Sequence, residues 1–164
     1  MNIGIIALAA LVPLLIGFIW YHPKTLGKIW IKEAGLTEEQ IKNAGPVRIY
    51  IMTLVMSFLL ALSTPYLVIH QAHVYSVFAN TPGANDPTTE IGAYIKNFMD
   101  LYGNNFRTFK HGALHGFITA LFTAMPVLGI GALFERKSWK YILVHTGYWA
   151  LTLGLMGGVI CQWN

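Results

Sequence analysis

Four histidines carry the spacing that metal chemistry requires. His70 and His73 stand three residues apart, His111 and His115 four apart. On a helix, either spacing puts two imidazoles on one face. Four neutral ring nitrogens suit zinc or copper. Neither pair has a carboxylate beside it in sequence. His111 and His115 also have a plainer reading, as packing. His111, His115, Thr119 and Thr123 recur at four-residue steps, with Gly112, Gly116, Ala120 and Ala124 beside them. A polar stripe then runs next to a small-residue stripe, each drifting about 40° per step. Small residues let a second helix backbone come close, and Gly154 and Gly158 offer a matching surface.

No other catalytic constellation is legible. There is no phosphate-binding loop, nucleophile elbow or carboxylate pair. The single cysteine, Cys161, cannot form an internal disulfide and reads as a small apolar filler. The formal charge of +4 is modest, and the lysines sit beside apolar runs. They are charge at a membrane surface, not a nucleic-acid footprint.

The elements that must position these groups are membrane spans. The chain has 164 residues, of which 55% are hydrophobic and 11% charged, too apolar for an ordinary soluble domain. Residues 2–20, 47–69, 109–134 and 141–163 form four apolar runs, none with a charged side chain well inside it. A coupled carrier usually places a carboxylate there, so that class is disfavoured. Pro13 is placed to kink the first run. Residues 88–103 repeat Ile91, Ile95, Phe98, Met99 and Tyr102 at helical spacing, an amphipathic helix outside the spans. Thr37-Glu-Glu-Gln40 is a capping box, and Gly35 suits the end of the helix before it.

The stretch from Gly17 to Trp30 marks the edge of the membrane. Trp20, Tyr21 and Trp30 suit a membrane–water interface. Lys24, Lys28 and Lys32 share one helical face, as expected of a helix lying on an anionic surface. Lysine and arginine concentrate in the first and third connections, which therefore face the cytoplasm; both termini and the amphipathic segment face outside. His145 then lies near the cytoplasmic side, away from the other pairs.

Gly17, Trp20, Tyr21, Pro23, Leu26, Gly27 and Trp30, running from a first span into a basic segment, resemble the domain-of-unknown-function family numbered 1761. Its members are small, mainly bacterial membrane proteins of about four spans. The resemblance implies a fold and a membrane but no activity.

The expected architecture is an all-α, integral membrane four-helix bundle, residues 1–164 as one domain, with short interfacial helices. The expected setting is a bacterial inner membrane. The first expectation for function is a small homo-oligomeric membrane subunit or a passive route for a small solute, with the bilayer and an unidentified membrane protein as partners. There, Gly112, Gly116, Gly154 and Gly158 would pack helices within and between protomers. The competing reading is a histidine-based metal-binding protein or metalloenzyme at the outer face.

Overall fold

Prolines decide how the apolar runs become helices. The computed structural model describes residues 1–164. Pro13 has no amide hydrogen for the carbonyl of Ala9, and the first span divides there into α1 (Ile3–Ala9) and α2 (Val12–Trp20). The Asn2 side chain caps α1 by accepting from the amides of Gly4 and Ile5. The second span, α5 (Pro46–Ser63), stops before Pro65 and so ends short of the expected Ile69. A single turn, α6 (Pro65–Val68), follows. Ile69 is then extended, at φ −116° and ψ 104°, and α7 (Gln71–Val77) leaves in a new direction. In the third span, α9 (Phe109–Thr119) passes through a π turn at Ala120–Ala124 into α10 (Met125–Phe134). Pro126 cannot bond to the carbonyl four residues back, and the wider turn absorbs the mismatch without ending the helix. The longest unbroken helix is α11 (Trp139–Trp163), capped by Ser138.

Shorter helices lie at the two ends. At one end are α3 (Gly27–Ala34) and α4 (Glu38–Lys42). Gly35 closes α3 at φ 73°, and Thr37 and Gln40 form the expected capping box. At the other end α8 (Glu90–Tyr102) follows its Thr89 cap. The termini meet there too, with the Asn2 amide donating to Asn164 Oδ1 at 2.7 Å.

The fold is all-helical, and four of its helices are long and apolar enough to cross a membrane: 3–20, 46–63, 109–134 and 139–163. The fourth is 44% buried, against 11–22% for the others, so α11 is the axis around which they pack. Ile6, Ala9, Ala61, Val68, Ala120, Leu153, Met156, Ile160 and Cys161 form the core around it. Large side chains such as Ile51, Val55, Leu59, Phe122, Val127 and Phe134 stay exposed. A surface of that kind needs hydrocarbon around it. The protein is a membrane protein.

α9 and α11 approach backbone to backbone. A Cβ on Gly112 would lie 2.2 Å from the carbonyl oxygen of Gly157, and one on Gly116 would lie 1.9 Å from that of Leu153. Gly157, outside the expected Gly154 and Gly158 pair, is the partner of Gly112; Gly158 faces the Phe109 ring. A Cβ on Gly154 would meet only the Ala113 carbonyl, at an ordinary 3.6 Å. Both small faces are thus used within one chain.

Gly112→Ala is therefore expected to lose about 3 kcal/mol or more of stability, because backbone cannot yield as a flexible side chain does. Gly131→Ala, with nothing within 4 Å of its added carbon, should be neutral or stabilised by up to about 1 kcal/mol. Thermal unfolding in one detergent checks the pair. Equal melting temperatures would remove the close crossing from its place in this fold.

Candidate functional site

The crossing of α9 and α11 sets the direction of two histidines. Gly112 and Gly116 face α11. Each preceding residue is rotated by about 100° around the helix axis, which turns His111 and His115 towards α6 and α7. Thr108 caps α9 by accepting from the His111 amide, so both histidines fall in its first two turns. Their ring centroids are 4.5 Å apart.

His70 arrives from the break in the second span. The extended Ile69 swings the chain over the start of α9, and His70 stands at the head of α7. Its Nε2 lies 2.8 Å from Nε2 of His111, in hydrogen-bond contact. Its ring centroid is 5.0 Å from that of His115. One nitrogen from each of the three rings lies within 4.8 Å of the others, and the group contains no carboxylate. His73, one turn along α7, is exposed and outside the group. His70 and His73 both follow the break, and only His70 reaches the cluster.

Three supports hold the cluster, and none was read from the sequence. Gln71 is 7% exposed. Its Nε2 donates to the carbonyls of Tyr102 at 2.9 Å and Asn105 at 2.8 Å, which ties the start of α7 to the end of α8. Arg107 Nε donates to the Cys161 carbonyl at 2.8 Å, and the Phe109 amide donates to Gln162 Oε1 at 3.0 Å. These bonds moor the loop before α9 to the last turn of α11, where a cation also complements the helix dipole. Phe106 covers the cluster. Its ring stacks on His111 at 5.1 Å and meets His70 edge-on at 5.8 Å. Its backbone is left-handed at φ 62°, which costs a bulky residue about 1–3 kcal/mol. The Phe106 carbonyl accepts from the Thr108 amide at 2.8 Å, and Cys161 Sγ lies 3.3 Å from the Val68 carbonyl and 3.4 Å from that of Phe106, with one proton to give to either.

Chemically, the three rings form a nitrogen donor set with one side unfilled. Two imidazoles at about 2.0–2.1 Å from a tetrahedral ion have nitrogens about 3.3 Å apart. The His70–His111 contact needs to open by only about 0.5 Å to admit one. The present contact needs a proton on one nitrogen and a lone pair on the other. Two imidazolium rings could not make it.

The opposite end holds a second polar cluster. Trp20 Nε1 donates to the Val144 carbonyl at 3.1 Å, and its ring fills the space beside Gly147. Tyr21 Oη lies 2.9 Å from Nδ1 of His145, with its ring 5.1 Å from that of Trp30. Burial, with Tyr148 and Tyr141 nearby, holds the Tyr21 phenol above its usual range. Trp20, Tyr21 and Trp30, expected at the headgroups, are half-buried here, and the first two make their polar contacts inside the bundle. Lys24, Lys28 and Lys32 are exposed. Lys137 Nζ donates to the Ala34 carbonyl at 2.7 Å, and Ser138 Oγ to the Glu33 carboxylate, fixing α3 to the third connection.

A family model described as "Protein of unknown function (DUF1761)" matches residues 5–161. The chain belongs to this family. No curated protein and no solved structure matches it.

His145 Nε2 is buried with no partner, so its bond to Tyr21 is the only one its ring makes. Tyr21→Phe keeps the ring packing and strands both nitrogens. It is expected to cost about 1–3 kcal/mol in unfolding experiments. Tyr94→Phe, at an exposed site, is the control and should cost nothing measurable.

Proposed function

We propose that this member of the DUF1761 family binds one transition-metal ion, zinc or copper, through His70, His111 and His115. What carries the reading is the convergence of three ring nitrogens within 4.8 Å of one another from two separate parts of the chain. His111 and His115 would be neighbours on any helix. His70 is not, and a proline break, an extended residue and a buried glutamine amide are arranged to bring it there. Three imidazoles with an unfilled fourth position are the ligand set of catalytic zinc sites rather than closed structural ones. The role is therefore a metal centre that acts on, or hands over, a small ligand at the membrane surface. Lysine and arginine favour the opposite end of the bundle, which supports placing the site at the outer face of a bacterial inner membrane.

Purified protein loaded with zinc and then desalted should hold about one ion per chain by elemental analysis. His111→Ala with His115→Ala should hold none. His73→Ala should hold as much as the parent, which separates this site from generic binding by surface histidines. Binding requires unprotonated imidazoles, so affinity is expected to fall by more than tenfold per pH unit below about pH 6. A parent without metal, or metal retained by the double variant, would refute the reading.

A further inference from the structure

Beside the cluster lies a groove of about 400 Å³ that the donor set does not use. It reaches the cluster through His70, one of its lining residues, and through Phe106, whose ring also stacks on His111. Phe98 and Tyr102, on one face of α8, make the aromatic wall, their ring centroids 5.2 Å apart. Val74 and Gln71 of α7 also line it, the Gln71 amide nitrogen held by two carbonyls. The lining contains no charged side chain.

We propose that this groove is the ligand subsite of the centre, and that it takes a small, flat, largely apolar molecule with an anionic oxygen head group. The inference rests on the reading of the three histidines as metal ligands. A divalent ion held by three neutral imidazoles keeps its full charge of two, and no carboxylate in the group offsets it. The unfilled position therefore favours an anion. The aromatic wall begins at the ligand His70 itself, so a molecule whose head reaches the ion lays its body along Phe106, Tyr102 and Phe98. Flat rings stack on such walls more favourably than chains do. The left-handed backbone at Phe106 has the same logic. It holds one ring over the cluster and at the head of the groove, a position that an unstrained loop would leave to chance.

The test uses two probes with one head group. The full-length protein, loaded with cobalt in detergent, is titrated with acetohydroxamate and with benzohydroxamate, and the visible cobalt spectrum is followed. Benzohydroxamate should act at concentrations about tenfold or more below acetohydroxamate. That advantage should shrink to threefold or less in Phe106→Gly, where glycine accepts the positive φ and the fold is kept, and in Tyr102→Ser. Detergent partitioning would leave the advantage unchanged in both variants. Cobalt bound with no such advantage, or with an advantage that survives both variants, overturns the subsite and leaves the metal centre standing. No cobalt bound by the folded parent overturns both.

Discussion

The arrangement of this protein depends on the contact between two backbones, α9 and α11, at Gly112 and Gly157. Lipid tails are as apolar as leucine, so burial of apolar surface gives spans little reason to associate, and close packing must supply the drive. Packing this tight requires residues without side chains on both helices. Once Gly112 and Gly116 are committed to α11, the helical twist leaves His111 and His115 only one direction to face. The two features share a four-residue period because they are adjacent stripes of the same helix. The packing and metal readings of that pattern are therefore compatible: the glycines fix the helix, and the histidines use the direction that results.

Several polar side chains of the spans find their partners inside the bundle. Within hydrocarbon a donor or acceptor has no water to turn to. Thr64, Thr119 and Thr146 bond back to the carbonyls four residues earlier. Tyr148 donates to the Pro13 carbonyl at 2.9 Å, Trp20 to that of Val144, and Tyr21 joins His145. The first span and α11 are thus sewn together by side-chain bonds, where α9 and α11 are joined by bare backbone. α5 has fewer such ties and is the least buried of the spans.

The spans, the capping box at Thr37 and the kink at Pro13 were legible because each depends on residues close in sequence. The helix pair His111 and His115 was legible for the same reason. The direction of His70 was not. It depends on the extended conformation of Ile69 after Pro65, and a continuous span had been expected through both. Four-residue spacing favours Gly154 and Gly158 as the packing pair, whereas the crossing itself brings Gly157 against Gly112. Tryptophan and tyrosine suit an interface, yet the same polar handles serve equally inside a bundle when a carbonyl or an imidazole is within reach. Phe106 left no signal at all, since a phenylalanine with positive φ is set by the bonds around it.

Two features of the histidine end favour a working site over a structural one. A structural ion would be enclosed by four ligands and would replace packing, as in small metal-stabilised domains. Here the fold already has its core around α11, and the histidine cluster lies at the edge, with His70 exposed and the others only partly covered. The local strain also sits beside the histidines. Among residues other than glycine, only Asn80, Phe106 and Arg136 have positive φ. Asparagine tolerates that conformation in turns, and Arg136 lies in the tight connection before α11. Phe106 lies in the turn that joins α8 to α9, and its ring lies over His111. The Phe106 carbonyl accepts from the Thr108 amide within this turn, so the strain at Phe106 sits directly beside the group of nitrogen donors.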